Sequence, residues 1–489
     1  MATMKHALLI LWHKNVPQLE RLLKFFDEDF DCYVHIDRKS HISRQDIETL
    51  EKAKSGLHLF CKYDIHWGGI SIVKAELFLL EKITQSNKKY DYIHFMSGQD
   101  YPIKKLCHIK TYFEEHNGYE FIEYMQLPSN RWENGTFRRF RYYLPYDFTD
   151  CQSLSGNKLS GRLVEWQRRL GIKRRVPDQF EHLYGGSNWI SITGKCAAYI
   201  VNNRRKHKPF YNRLKYTFAP DEVYFHTVIL NSDFADKTLN NNQRCIIWQG
   251  NGASPLTLTE KYWWYIATSD RLFARKVDEK QSATLISLIN EYIMADEDIQ
   301  ISPNGQWTST TFTGHCYDNG LAQGLLRLLP YMGVKTIADL GCGPGWYVAL
   351  FRKYGYEADG YDGNPNVEKM SAPLFANGFY CQCANLTDEL EADEPFDMVF
   401  SLEVGEHIPN KWEDTYLDNL ARNSAKYIIM SWAIDGQKGD GHVNCHPNHY
   451  IIGKMFERGF FFSTPVSRYL RSCASLFLLK HTIMVFEKA

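Results

Sequence analysis

The sequence predicts an α/β protein of two domains, and three observations carry that prediction. From residue 5 to about 277, short runs rich in β-branched and aromatic residues alternate with helical periodicity. A second start of the same kind, "TIADLGCGPGWYVALF" at 336–351, follows an acidic stretch marked by proline and glycine, "MADEDIQISPNG". A length of 489 residues, 44% of them hydrophobic, exceeds what one core usually organises. The expected divisions are a first domain over 1–277, a linker over 278–305 and a second domain over 306–489.

In the first domain, "HALLILWH" reads as a buried strand, "NVPQLERLLKFF" as a helix with Leu19, Leu22, Leu23 and Phe26 on one face, and "DCYVHIDRK" as a second strand. This βαβ rhythm sends its loops to the carboxyl ends of parallel strands, where open α/β sheets bind ligands. His35 and Asp37 fall at such an end, although an aspartate there also suits a turn. "HWGGISIVKAELFLLEKI" places Gly68 and Gly69 before a helix with the apolar stripe Ile72, Val73, Leu77 and Leu80. "YDYIHFMSGQDYPIKK" gives another buried strand, closed by a polar turn at Ser97, Gly98 and Asp100. Further on come "GGSNWISITGKCAAYIV" and "TFAPDEVYFHTVILNS", whose acidic "DE" also suits the first turn of a helix.

Composition excludes several classes. Lysine plus arginine number 57 and aspartate plus glutamate number 57, so no global basic field draws the chain to nucleic acid. Twelve cysteines are scattered without zinc spacing and read as reduced, mostly buried thiols. The apolar start is too brief for a signal segment, and no later run approaches the roughly 20 residues of a membrane helix.

Six segments, "YVHIDRKS", "WGGISIVKAEL", "YIHFMSGQDYPIK", "GGSNWISIT", "APDEVYFHTVI" and "LFARKV", occur in an order and spacing that resemble glycosyltransferase family 14. That family holds the core-2 and I-branching β-1,6-N-acetylglucosaminyltransferases and the peptide xylosyltransferases. The resemblance, over roughly residues 5–277, implies a GT-A type domain that moves GlcNAc or xylose from a UDP-sugar to an acceptor hydroxyl, with inversion and without a metal. Inversion needs a base for the acceptor proton, and the resemblance assigns it to Glu222 in preference to Asp221. It assigns Lys276, with Arg275 beside it, to the departing diphosphate, whose charge must be met by protein cations. A second family cation, an arginine about two dozen residues earlier, has no match; Ala253 stands near its place, and Arg271 and Arg244 are the substitutes considered. Asp37 would meet the uridine or its ribose, and Gly98 and Asp100 would line the donor or acceptor pocket.

Two D-x-D triplets, Asp27 to Asp29 and Asp296 to Asp298, do not follow a buried strand and read as solvated turns. The run "RWENGTFRRFRYYLPYDF" interleaves Arg138, Arg139 and Arg141 with Tyr142 and Tyr143. Such a run can grip RNA, but in a short stretch of a neutral chain it reads as an acceptor-side loop.

The second domain opens on "ADLGCGPGWYVALF", with "GYDGNP" two dozen residues later and "FDMVFSLEVGEHIP" downstream, and resembles the class I, Rossmann-like S-adenosylmethionine methyltransferases. Gly341, Gly343 and Gly345 would let the backbone approach the cofactor, and Asp362 would accept both ribose hydroxyls. Asp339 precedes the loop, Asn385 would meet the adenine, and Glu403 ends a strand at the cofactor. Glu403, Glu406, His407 and His442 are candidates for the base that a hydroxyl acceptor needs. The spacing of His442, His446 and His449 admits a metal site but reads as polar loop, and no metal is expected.

The combined expectation is a bifunctional enzyme that transfers a sugar from a UDP-sugar and methylates the glycan with S-adenosylmethionine. The acceptor would be a glycan or lipid-linked oligosaccharide of bacterial surface polysaccharide, reached in the cytoplasm with transient membrane contact, and nucleic acid is not an expected partner. Two other readings stand beside it: a methyltransferase with a catalytically degenerate glycan-binding domain, and a nucleic-acid methyltransferase with a binding module.

Overall fold

Strand β1 (His6–Trp12) is a nearly continuous apolar run, and it lies inside a seven-stranded sheet covered on both faces. The computed structural model, which describes residues 3–130, 138–148, 154–249, 254–376 and 378–489, divides the chain into two compact units. Ala253 and residues 131–137 of the arginine and tyrosine run, with the side chain of Arg138, lie outside the described residues.

In the first unit β1 pairs in parallel with β2 (Phe30–Ile36), which carries β3 (Leu57–Phe60), and on its other side with β4 (Tyr92–Ser97). Then follow β5 (Tyr101–Pro102), β6 (Glu120–Phe121), β7 (Tyr124–Leu127), β8 (Leu183–Gly186), β9 (Ser191–Thr193), β10 (Thr238–Leu239), β11 (Arg244–Ile246) and β12 (Phe273–Arg275). The main sheet has the order β10-β6-β9-β4-β1-β2-β3, with β9 antiparallel to its neighbours; β11-β12-β5 form a small second sheet.

Helix Val16–Phe25 starts where the Asn15 side chain accepts from the Gln18 amide at 3.2 Å, and it buries Leu19, Leu22 and Leu23 against the sheet. Burial of that kind contributes about 1.5–3 kcal/mol per side chain. Helix Ile70–Thr84 covers the opposite face through Val73, Leu77 and Leu80. Its first amides, on Ile70 and Ser71, donate to the distant Asp147 carboxylate at 3.1 and 3.0 Å. A Cβ at Gly69 would lie 2.4 Å from that carboxylate, so glycine is required there by space.

The second unit contains β13 (Thr336–Leu340), β14 (Glu357–Asp362), β15 (Gln382–Cys383), β16 (Phe396–Ser401), β17 (Ser424–Met430), β18 (Phe460–Phe462) and β19 (Met484–Lys488). Their order is β15-β14-β13-β16-β17-β19-β18, parallel except for β19. Strand order runs outward in both directions from β13, which makes the carboxyl ends of β13 and β16 the topological switch point of a Rossmann-like sheet.

The units are Met1–Leu258 with Asp270–Ala283, and Thr259–Ser269 with Thr284–Ala489. This division differs from the linker expected over 278–305. Residues 284–305 belong to the second unit because Leu285, Ile286, Ile289 and Tyr292 are buried, and Tyr292 stacks on Phe312 at 5.2 Å. The acidic stretch behind that expectation is also anchored: the Glu297 carboxylate accepts from the amides of Thr310 and Thr311.

A polar chain crosses the core of the first unit. His6 and His94 share a hydrogen bond of 3.1 Å, and His94 meets the Ser191 hydroxyl at 2.9 Å. Both rings are fully buried, and burial lowers His6 to about 4 and His94 well below its ordinary value. The unfolded chain therefore takes up protons below pH ~6.5 that the folded unit refuses. Stability should fall as pH drops from 6.5 towards 4, by roughly 2 kcal/mol per histidine at pH 5. Urea midpoints at pH 7.5 and 5 measure this, and His6→Leu should flatten the dependence.

Candidate active sites

In the first unit, the parallel strands deliver their following loops to one edge. The Asp37 amide donates to the Trp12 carbonyl at 2.9 Å and the Gly98 amide to the Leu11 carbonyl at 3.3 Å, so the loops after β1, β2 and β4 lie together. A Cβ at Gly98 would meet the Trp12 indole at 2.6 Å, so Gly98 serves close packing on that ring. Asp37 is buried; its Oδ1 accepts from the amides of Lys39 and Ile65 at 3.0 and 3.1 Å, and Lys39 Nζ lies 3.8 Å from Oδ2. Asp37 thus fastens its own turn and leaves Oδ2 beside a lysine.

Cations gather at this edge. Lys276 is half-buried, and burial with the Arg275 and Lys14 charges lowers its ammonium from the ordinary value. Burial, followed by the charges of Lys14 and Lys276, likewise lowers His13, while Asp37 opposes them. The charges of Lys276, Lys14, Lys39 and Asp37 thus all act on His13, while Lys14 Nζ lies 3.5 Å from Asp278 Oδ2 and Lys39 Nζ donates to the Ile65 carbonyl at 2.6 Å.

Two expected site residues turn inward instead. Arg275 is buried beneath the Trp189 ring, 3.5 Å from its centroid, and donates to Asp100 Oδ2 at 2.9 Å. Asp100 is fully buried and also accepts from the Ser97 amide and hydroxyl. Asp100 therefore holds Arg275 and does not line an open pocket, and Arg275 does not face a ligand. Arg244, considered as a substitute cation, is also internal: it donates to the carbonyls of Phe95 and Asn242 and to the Ser191 hydroxyl. Arg271 lies 3.2 Å from Asp270. Among the described residues, the cations found at this edge are lysines, a feature sequence reasoning missed because Lys14 and Lys39 sit in loops of ordinary composition.

Glu222 lies in the first turn of helix Asp221–Leu230. Just before it, the Ala219 amide donates to the Gly68 carbonyl at 2.9 Å, which joins "APDE" to the "WGG" turn. Glu222 keeps 33% of its side chain exposed and meets Arg139 Nη1 at 3.0 Å. Asp221 is buried, and burial with the neighbouring Glu222 charge pushes its carboxyl up. Glu76, fully enclosed beside it, accepts from Asn188 at 2.8 Å and is also pushed well above the carboxylate range by burial and by Asp221. Asn188 is followed in the chain by the Trp189 that covers Arg275. Arg139 faces inward to Glu222 and the Phe218 ring.

The second unit has a cavity of about 370 Å³ at its switch point, within the range of small-molecule sites. Asp339, Gly341, Gly343, Asp362, Asn385, Glu403 and His407 all line it. Asp362 ends β14, and its two oxygens accept from the amides of Gly343 and Asn364 at 2.7 and 2.8 Å, leaving one lone pair on each for a ligand. Burial, with Asp362 beside it, raises Asp339 well above the carboxylate range. Gly341 and Gly343 adopt φ of 86° and 51°, and a Cβ on them would strike Val404 and His315. Gly345 differs from its expected role: it does not line the cavity, and a Cβ there would meet the Cys381 sulfur at 2.7 Å. The Asn385 side-chain oxygen already accepts from the Gln306 side-chain amide at 2.7 Å.

Glu403, held at φ 52°, accepts from Gln437 at 2.7 Å. Beside it stand Glu406, His407 and His442, whose ligand atoms lie within 4.8 Å of one another. Burial and the neighbouring His442 lower His407 to about 4, so its imidazole is neutral at pH 7. The histidine loop divides: His446 meets Glu413 at 3.0 Å, and His449 is exposed. Gln306, Trp307 and His315 also line the cavity; sequence reasoning missed them because they precede β13 and carry no motif.

Residues 7–271 match the family described as "Core-2/I-Branching enzyme", and residues 314–431 match "Methyltransferase domain". A xylosyltransferase of Caenorhabditis briggsae is 25% identical over 319 residues, covering 60% of this chain and 37% of that protein. Xylosyltransferase 1 of Homo sapiens is 25% identical over 247 residues, covering 49% and 23%. The chain thus spans well under half the length of these curated relatives. Among solved structures, the sugar N-methyltransferase KedS8 from a Streptoalloteichus species aligns at 12% identity with a TM-score of 0.29, over 35% of this chain and 87% of its own. The magnesium protoporphyrin IX methyltransferase of Synechocystis with bound S-adenosylmethionine aligns at 18% identity with a TM-score of 0.26, over 35% and 80%.

Removing one partner of a buried ion pair leaves an uncompensated charge. Asp100→Ala should lower the unfolding free energy of the first unit by about 3–5 kcal/mol, and the double variant Asp100→Leu with Arg275→Met should recover part of that loss. Denaturant titrations of both variants measure the difference.

Proposed function

The chain belongs to the core-2/I-branching enzyme family and carries a methyltransferase domain, and from that premise we propose that it elongates a glycan with its first unit and methylates it with its second. The observation that carries the transferase reading is the contrast between neighbouring carboxylates: Glu222 is one-third exposed and held by Arg139, whereas Asp221 is enclosed. An exposed, oriented carboxylate can take a proton from an acceptor hydroxyl as its oxygen attacks the anomeric carbon. The developing diphosphate charge is met by Lys276 and Lys14, which gives lysines the part of the unmatched arginine. Xylose is the first donor to test, because the relatives named above are xylosyltransferases; GlcNAc is the second.

For the methyl donor, the supporting geometry is the cavity at the switch point, with Asp362 positioned for a ribose and left-handed glycines beneath it. These features suit S-adenosylmethionine, whose methyl would point to the polar wall of His407 and His442, behind which Glu406 is buried. The acceptor in this reading is a sugar hydroxyl of the same glycan, and bacterial surface polysaccharide made in the cytoplasm is the proposed setting. The arginine and tyrosine run favours this over nucleic acid, since Arg139 already serves Glu222 and the Arg174 guanidinium lies over Tyr143.

A thermal-shift panel with UDP, UDP-xylose, UDP-GlcNAc and S-adenosylmethionine tests both halves, since a ligand that binds only the folded state raises its stability. Both a UDP compound and S-adenosylmethionine should stabilise the chain. Stabilisation by S-adenosylmethionine alone would leave the first unit as a glycan-binding module. Glu222→Gln should lower transferase turnover by about 10²–10⁴-fold while UDP still binds. Asp362→Ala should weaken S-adenosylmethionine binding at least about 10-fold, read by calorimetry, through loss of charge-assisted hydrogen bonds.

A further inference from the structure

The polar wall of the second unit's cavity has an unmet need. Glu406 is fully buried, and neither of its carboxylate oxygens has a hydrogen-bond partner of good geometry, the nearest polar groups being Glu403 and the amides of Glu406 and Ala433. Nδ1 of His407, also buried, has none. A buried group without a partner costs free energy that native structures rarely leave uncompensated. Ligand atoms of Glu406, His407 and His442 lie within 4.8 Å of one another, so a modest inward turn of the side chains brings them to the roughly 3.4–4.4 Å that bonds of about 2.0–2.2 Å to one ion require.

The surroundings orient this trio. The rings of His407 and His442 stand edge to face, with centroids 4.9 Å apart. Nδ1 of His442 lies 3.1 Å from the Gln437 carbonyl, a bond that fixes the ring and leaves Nε2 as its ligand atom. Glu403 is held separately by Gln437 and Thr482 and flanks the trio.

We propose that Glu406, His407 and His442 bind one divalent first-row cation, which in turn binds the acceptor hydroxyl. Two imidazoles and a carboxylate suit such ions and leave coordination positions open for substrate oxygens. A vicinal diol, common on sugars, would fill two of them. The inference rests on the methyl-transfer reading for its chemistry, and it replaces the metal-free expectation for this half of the chain. The cation lowers the pKa of the bound hydroxyl, and its proton passes to water. The oxygen then bonds to the methyl carbon as the carbon–sulfur bond breaks, and that bonding pair stays on sulfur as a neutral thioether. His407 in this arrangement is a ligand, and no protein base is required.

The test uses the full chain, stripped with chelator and titrated with Mn²⁺ alone, free Mn²⁺ being read by electron paramagnetic resonance and Zn²⁺ by competition. One site per chain is expected, weakened at least about 10-fold in Glu406→Gln and in the half-exposed His442→Ala. His446→Ala, on the same loop but paired with Glu413, should keep wild-type affinity. Circular dichroism verifies that each variant folds, and calorimetry with S-adenosylmethionine runs in parallel. Cofactor binding without uptake of either ion overturns the proposal, as does uptake unchanged by both substitutions. Residue-dependent uptake without cofactor binding supports the cation site and overturns the methyl-transfer reading instead.

Discussion

A parallel strand can rejoin its neighbour only through a crossover that returns along a face of the sheet, and both units depend on that constraint. Each crossover places a loop at the carboxyl edge, and where strand order reverses, two successive loops diverge and leave a crevice. In the first unit the reversal falls between β1 and β4, in the second between β13 and β16. His13, Asp37 and Gly98 stand at the first edge, and Gly341, Asp362 and Glu403 at the second, because of where their strands end.

What the edges hold depends on charge placed below them. In the first unit Arg244 and Arg275 are buried and serve as internal braces, one on main-chain carbonyls and one on Asp100. A buried guanidinium keeps its planar set of donors engaged with fixed acceptors, which suits bracing better than binding a departing ligand. The flexible ammonium groups of Lys14, Lys39 and Lys276 remain at the edge. Enclosed Glu76 and Asp221 lie beside the more accessible Glu222, so three carboxylates at one place differ in the part each can take.

The second unit arranges its cavity through close packing as well as charge. Glycines let Val404 and His315 approach the loop after β13, while the Asp362 carboxylate ties that loop to the end of β14. Across the cavity, the segment containing Gln306 and Trp307 and the loop containing Gln437 and His442 supply a polar wall from distant parts of the chain. The cavity is therefore built from four separate stretches, none of which forms a site alone.

The sequence by itself determined the elements and the two halves. Runs such as "HALLILW" and "TIADL" read as buried strands, and the stripe Leu19, Leu22, Leu23 as a covered helix face, since apolar periodicity is a local property of the chain. Through its resemblance to known families it pointed to Glu222 and Lys276, and it pointed to Asp362 and Glu403 because each stands at the end of a strand where a loop must begin. The tertiary structure alone decided which charges face inward. Asp100 and Arg275 read in sequence as pocket residues, yet they meet from positions 175 apart and neutralise each other in the core. The trio Glu406, His407 and His442 forms, and His446 leaves it for Glu413, for the same reason: partners are chosen by proximity in space, which the spacing of residues along a chain does not encode.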